Sequence, residues 1–185
     1  MRWWVPLSAM VAPVALVGGW TLAAARQPDS FDPVTDTISA LAAADAEDPW
    51  IMTLGLALVG GAHLATAVGL DEARMPGRVV LGAGGVATAL VAVFAQPSGA
   101  HLPAAAVSFA ALATWPAVSG LPDRTTGVLA AAGLLGLVGW LVVELGDGRL
   151  VGLSERVAAA AQALWPLVVV AVLAGRRRAT GRGRA

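Results

Sequence analysis

The chain has 185 residues, of which 57% are hydrophobic and 13% are charged, and its mean hydropathy is +0.74. A soluble domain of this size could not cover so apolar a sequence with a polar surface, so we expect an integral membrane protein. The absence of cysteine excludes disulfides, thiolate metal sites and cysteine nucleophiles, and a formal net charge of zero argues against a nucleic-acid partner.

Six apolar stretches are long enough to cross a hydrocarbon core of about 30 Å, which takes roughly 20 helical residues. They predict an all-α bundle of six transmembrane helices, because the stretches are uniformly apolar and lack the period of two that barrel strands require. Short connections make consecutive helices antiparallel neighbours. The predicted helices cover residues 4–25, 50–70, 79–96, 101–121, 125–143 and 157–174 of one transmembrane domain at 1–175, which a basic cytoplasmic tail at 176–185 follows.

The first stretch also allows a second interpretation, a cleaved signal peptide. Arg2 precedes the apolar run, and the three alanines at 23–25 resemble a small-residue cleavage site. The run is long enough to span, so we favour an uncleaved first helix.

Arginine counts predict the orientation, because basic residues are retained on the cytoplasmic side. With both termini inside, three arginines lie outside, Arg26, Arg149 and Arg156. The use of arginine for all 12 basic residues, with abundant Ala and Gly, is typical of a GC-rich bacterial genome, so we expect a bacterial plasma-membrane protein. The remaining nine arginines lie inside: Arg2, Arg74, Arg78, Arg124, Arg176, Arg177, Arg178, Arg182 and Arg184.

The first outer loop contains a predicted short interfacial helix at 36–44. Asp36 is a typical N-cap residue, and Ile38 and Leu41 give the following turn an apolar face. Two uses remain open for Asp36 and Ser39, capping of this helix and binding of a lipid headgroup.

The outer helix ends supply further polar side chains on the same side of the predicted membrane. A ring of such groups over an apolar bundle could bind a zwitterionic or phosphate-bearing headgroup, with Arg156 holding the anion. The alternative is a set of interfacial side chains that pair with one another. The leading hypothesis is a non-enzymatic protein whose outer polar rim binds membrane lipids or a partner. The candidate binding residues are Asp36, Thr37, Ser39, His101, Glu155 and Arg156.

Catalysis is the alternative function. Ser39 and His101, with Asp36, are the outer-face residues of the types that a hydrolytic triad requires, so an interfacial lipid-modifying enzyme would use Ser39 and His101. His63 lies 13 residues into the second helix, roughly 20 Å below the boundary where His101 is expected. The two histidines are therefore not expected to share a metal ion, and nothing in the sequence indicates a cofactor.

Polar residues within the predicted spans, above all His63 and Gln162, should face the bundle interior. A continuous polar path through these two residues would suit a third hypothesis, small-solute transport. Glycine spacings such as Gly55 to Gly60 and Gly133 to Gly136 permit close helix contact, within one chain or in a homo-oligomer.

The run "FDPVTDTISALAA" after the first helix resembles the bacterial multi-pass family called domain of unknown function 998. The similarity continues through "DPWIM", "AHLPAAAVSFAALATWP" and "GLSERV", so it extends across essentially the whole chain. More distantly, Ile38-Ser39 after the first helix and the six-helix plan are similar to the Frag/DRAM membrane family, some of whose members are associated with lipid handling. Here Ala40-Leu41 follows, in place of that family's Asp-Thr/Gly pattern.

Overall fold

A computed structural model describes residues 1–182, and the regular elements within that range are helical. Six helices are long and apolar enough to cross a membrane, which confirms the predicted all-α class and the number of spans. The chain is therefore a multi-pass membrane protein. Arg184, in the predicted basic tail, lies outside the described residues. The helices are α1 Val5–Ala24, α2 Trp50–Gly69, α3 Met75–Val93, α4 His101–Ser119, α5 Arg124–Asp147 and α6 Val151–Arg182.

The last two helices are longer than predicted, because local contacts favour helix where hydropathy is low. The Asp123 carboxylate accepts a hydrogen bond of 2.9 Å from the Thr126 amide at the start of α5, and Gly148 ends α5 with φ 75°. The sixth helix begins at Val151 rather than 157, so Glu155 and Arg156 lie in its first two turns. It also continues into the predicted tail.

The six helices form a closed ring in which each packs against its neighbours in sequence and α1 also packs against α6. Because α5 contacts mainly α4 and α6, it has the least buried surface of the six spans. The interior is enclosed by α1, α2, α3, α4 and α6, and an apolar cluster around the fully buried Trp115 fills one half of it.

Glycine allows a close backbone contact between α2 and α3. A Cβ on Gly60 would lie 2.6 Å from the Gly85 carbonyl oxygen, and one on Gly85 would lie 2.8 Å from the Gly60 carbonyl oxygen. The two backbones can approach this closely only because neither residue has a side chain. On α5, by contrast, a Cβ on Gly133 or Gly136 would meet nothing within 4 Å, and homo-oligomerisation through that face stays a prediction.

The first loop contains a short 3-10 helix at Ser39–Ala42 rather than an α-helix over 36–44. Asp36 does not cap it, because the Asp36 carboxylate accepts instead from the Asp32 amide at 2.8 Å. The capping interaction comes from Thr37, whose hydroxyl oxygen accepts from the Ala40 amide at 3.0 Å. Leu41 is fully buried, so this turn is packed against the bundle.

The loop ends of the bundle differ in composition. At one end, which we call the Glu72 end, Glu72 accepts hydrogen bonds from the Met1 ammonium at 2.8 Å and from Arg177. Arg78 donates there to the carbonyls of Ala67 and Val68, at the last turn of α2. The opposite end, which we call the Glu155 end, carries the first loop and the starts of α2, α4 and α6.

Candidate functional site

Glu155 is the centre of the polar contacts at the Glu155 end. Its carboxylate accepts a hydrogen bond of 2.5 Å from the Ile38 amide and one of 3.2 Å from the Ser39 hydroxyl. The side chain is only 8% exposed, and a buried carboxylate is tolerated where such donors satisfy it. The 3-10 turn of the first loop is thereby attached to α6.

Arg156, the next residue, holds the preceding part of the loop. Its Nη1 donates to the carbonyl oxygens of Pro33 at 2.8 Å and Asp36 at 2.6 Å, and to Gly152 in its own helix at 3.0 Å. The guanidinium carbon lies 5.9 Å from the centre of the Phe31 ring. The observed partner of Arg156 is thus the loop backbone, and its predicted grip on an anionic headgroup stays a prediction.

His101 begins α4 and is 5% exposed. Its Nδ1 lies 2.9 Å from the Phe94 carbonyl oxygen. A carbonyl oxygen only accepts, so Nδ1 must carry the proton, and Nε2 of the neutral ring is left with a lone pair. In that neutral form, His101 provides a hydrogen-bond acceptor at the Glu155 end.

A groove of about 290 Å³ lies beside these residues, between α4, α5 and the first turns of α6. Its polar end is formed by Thr37, Ser39, Gln96, His101 and Glu155. The rest of the wall is apolar and comes from α4 and α5. Several of its side chains are exposed, so the groove opens sideways toward the hydrocarbon core. These exposed apolar residues include Leu102, Val142 and Leu145.

A second cavity, of about 60 Å³, lies deeper in the bundle and is called the His63 chamber here. Its polar lining is His63, Thr88, Ser108 and Gln162, together with Ser39 and Glu155 from the loop end. The Thr88 and Ser108 hydroxyls are 2.7 Å apart, and the Gln162 amide donates to the Phe109 carbonyl at 3.0 Å. Four residues line both the chamber and the groove, and they lie between the two cavities: Ser39, Ala105, Phe109 and Glu155.

The family described as "Protein of unknown function (DUF998)" matches residues 10–172. The chain belongs to the DUF998 family. The match covers nearly all of the six spans and every candidate site residue. No curated protein and no solved structure matches the chain, so the family assignment brings no activity with it. The more distant similarity to the Frag/DRAM family stays a prediction.

The DUF998 fold brings most of the predicted site residues together. Thr37, Ser39, His101 and Glu155 line the groove, and His63 and Gln162 line the chamber. Asp36 and Arg156 do not line the groove and act on the loop backbone instead. Sequence reasoning missed Gln96; its place five residues before His101, across the tight turn that contains Pro97, is the signal that would have found it.

Two observations bear on the alternative functions of this DUF998 chain. Ser39 donates its hydrogen bond to Glu155, and His101 is bonded to Phe94, so no bond joins Ser39 to His101 among the described residues. A nucleophile and its base need that contact. For transport, the polar chamber at His63 gives way to the apolar cluster around Trp115 in the other half of the bundle.

Proposed function

We propose that this protein binds one amphiphilic membrane lipid, with the headgroup at the polar end of the groove and a hydrocarbon chain along α4 and α5. The observation that carries the proposal is the groove itself, which has a polar end and an apolar wall open to the membrane. Binding sites for small molecules are commonly apolar cavities with a few convergent polar groups. Lipid is also the neighbour that a sideways opening would meet most often.

The remaining hydrogen-bonding capacity of the polar end suggests the class of headgroup. The Ser39 hydroxyl hydrogen is donated to Glu155, and the His101 Nε2 has a lone pair. The Glu155 carboxylate also only accepts when it is ionised. These acceptors favour a headgroup that donates, such as a hydroxyl or an ammonium group, over a phosphate monoester. Arg156 does not line the groove, and its Nη1 donates to the loop carbonyls.

We further propose that the protein lies in the bacterial plasma membrane with both termini in the cytoplasm. The Glu72 end carries Arg2, Arg74 and Arg78, and the ends of the outer loops carry only Arg26, Arg149 and Arg156. Retention of basic residues in the cytoplasm supports this orientation. Labelling of single cysteines, introduced at Asp45 and at Asp71, by a membrane-impermeant reagent in intact cells tests it: only the first should react.

Native mass spectrometry of the purified full-length protein tests lipid binding. The protein is presented with a mixture of dioleoylglycerol, dioleoyl phosphatidylethanolamine and dioleoyl phosphatidic acid, which share their chains and differ in headgroup. Retention of one lipid per chain is expected, with the first two preferred over phosphatidic acid. Equal retention of all three would contradict the headgroup assignment.

A matched pair of alanine substitutions tests the groove. Ala106 lines the groove on an exposed face of α4, so Ala106→Leu should fill it and reduce retention about tenfold, the effect of ~1.4 kcal/mol. Ala57 is exposed on α2, away from the groove, and Ala57→Leu should leave retention unchanged. If both variants retain lipid as the wild type does, the groove is not the binding site.

Lipid modification is the second candidate function, because Ser39, His101 and a carboxylate share one groove. It predicts turnover of a bound dioleoyl lipid that Ser39→Ala abolishes while lipid retention survives. The hydrogen bond from Ser39 to Glu155, in place of one to His101, makes binding the function that the geometry supports best.

A further inference from the structure

His63 is buried in the middle of a spanning helix without a hydrogen-bond partner. It is 1% exposed, and both ring nitrogens lack a partner among the described residues. A buried polar group in this state costs free energy, and such groups in folded proteins are nearly always bonded to protein or to water. His63 therefore requires a ligand that the protein itself does not supply.

The chamber beside His63 has room for that ligand. A cavity needs about 10–15 Å³ to hold one water molecule. The chamber measures about 60 Å³, so it has room for several water molecules. Thr88, Ser108 and Gln162 add polar atoms to the wall, and waters in polar cavities make two to four hydrogen bonds each. An apolar ligand of this size would leave His63 unsatisfied.

The titratable groups that line the chamber are His63 from α2 and Glu155 from α6. The other elements packed around it, α1, α3, α4 and the first loop, contribute apolar side chains and hydroxyls among the described residues, and Gln162 of α6 contributes an amide. Arg156, the charged neighbour of Glu155 on α6, does not line the chamber and donates to the loop carbonyls. A buried histidine in a spanning helix and a buried carboxylate in the first two turns of α6 thus border one cavity, and such groups can exchange a proton through water.

We propose that the chamber is a hydrated proton-exchange site in which His63 and Glu155 share one proton through bound water. The proton leaves a carboxyl oxygen of Glu155, passes along the waters, and is taken up by the imidazole nitrogen that carries the lone pair. Glu155 becomes a carboxylate, which the Ile38 amide and the Ser39 hydroxyl stabilise, and His63 becomes an imidazolium. The total charge of the chamber is unchanged, and the inference does not depend on the lipid.

Solid-state NMR of the full-length protein in lipid bilayers tests both parts of the proposal. The chain has two histidines, so a His101→Asn variant assigns the ¹⁵N signals of His63. Magnetisation transfer from water to the His63 ring is expected in the wild type. The ¹⁵N signals of His63 and the ¹³C carboxyl signal of Glu155 are expected to change together as the pH is varied.

The variant Glu155→Gln removes the carboxyl group that exchanges a proton with His63, so the protonated fraction of His63 at a given pH should fall. Glu144 is a buried carboxylate on α5 that does not line the chamber, and Glu144→Gln should leave His63 unchanged. A His63 ring without water contact, or the same protonated fraction in Glu155→Gln as in the wild type, overturns the proposal. If Glu155→Gln does not fold, independent pH midpoints for the two wild-type signals overturn it equally.

Discussion

Ser39 and Glu155 are 116 residues apart in the sequence, yet the Ser39 hydroxyl donates a hydrogen bond of 3.2 Å to the Glu155 carboxylate. The Ile38 amide donates to the second carboxylate oxygen. One side chain of α6 thus accepts two of the bonds that attach the first loop to the bundle. Both donors would be buried without an acceptor if this side chain were replaced by an apolar one.

Substitution Glu155→Leu should destabilise the fold by about 1–3 kcal/mol, the cost of leaving buried donors unsatisfied. Chemical unfolding in mixed micelles measures the change in the free energy of unfolding. Glu47 is an exposed carboxylate in the same loop, and Glu47→Leu serves as the control. Equal stability of the two variants would show that the Glu155 hydrogen bonds contribute nothing.

Arg156→Gln should loosen the loop segment that contains Pro33 and Asp36, because the carbonyls of both residues lose their donor. Amide hydrogen exchange followed by mass spectrometry should show faster exchange in residues 31–37. Arg149→Gln replaces an exposed arginine at the same end of the bundle and should leave the exchange unchanged. Faster exchange in both variants would point to a general effect of charge instead.

Two adjacent glycines of α2 offer a matched test of helix packing. Gly60→Ala puts a Cβ 2.6 Å from the Gly85 carbonyl oxygen, so it should cost about 1–3 kcal/mol in strain. A Cβ at Gly61 meets nothing within 4 Å, so Gly61→Ala should be neutral, or stabilising by up to ~1 kcal/mol through helix propensity. Thermal unfolding in detergent measures both, and a loss of stability in Gly61→Ala would contradict the packing argument.

Acid should weaken the contact at the Glu72 end. Burial raises the pKa of Glu72, but the hydrogen bond from the Met1 ammonium and the charges of that ammonium and of Arg177 lower it, and the net pKa lies below its ordinary value of 4.5. A carboxylate with a depressed pKa contributes stability above its unfolded-state pKa and loses it as the pH falls through the folded pKa. The contribution is therefore complete above about pH 5 and is lost on further acidification.

The variant Glu72→Gln isolates this contribution. It should be less stable than the wild type near pH 6, and the two unfolding free energies should converge as the pH falls through the lowered pKa of Glu72. Unfolding curves in micelles over this range provide the measurement. A difference that stays constant across the range would mean that the Glu72 charge contributes no stability.

The helices could be predicted because crossing a membrane imposes a length and an apolar composition that no other part of the chain satisfies. Their ends were less predictable. Hydropathy placed Glu155 and Arg156 before the sixth helix, but both lie inside it, where Glu155 accepts from the Ile38 amide and Arg156 donates to the Asp36 carbonyl. Asp36 was expected to cap a helix at 36–44, and Thr37 makes the equivalent contact for a much shorter turn.

The site was predictable as a set of residue types and not as an arrangement. Ser39, His101 and Glu155 could be selected because each is polar and close to the same predicted surface. Their convergence depends on the packing of α4 and α6 near the first loop. Glu155 is 116 positions from Ser39, and such long-range contacts produce no periodic pattern in the sequence. The groove likewise depends on the limited packing of α5, and helix periodicity does not indicate which neighbour a helix has.

The bond between the first loop and α6 also has a consequence for synthesis. At about 5–20 residues per second, a ribosome takes roughly 6–23 s to add the 116 residues from Ser39 to Glu155. The loop is thus synthesised early and is fastened only when the sixth helix is complete. Until α6 arrives, the Ile38 amide and the Ser39 hydroxyl lack their acceptor, and a chain that stalls after α5 would present this segment to any chaperone or protease at that end of the bundle.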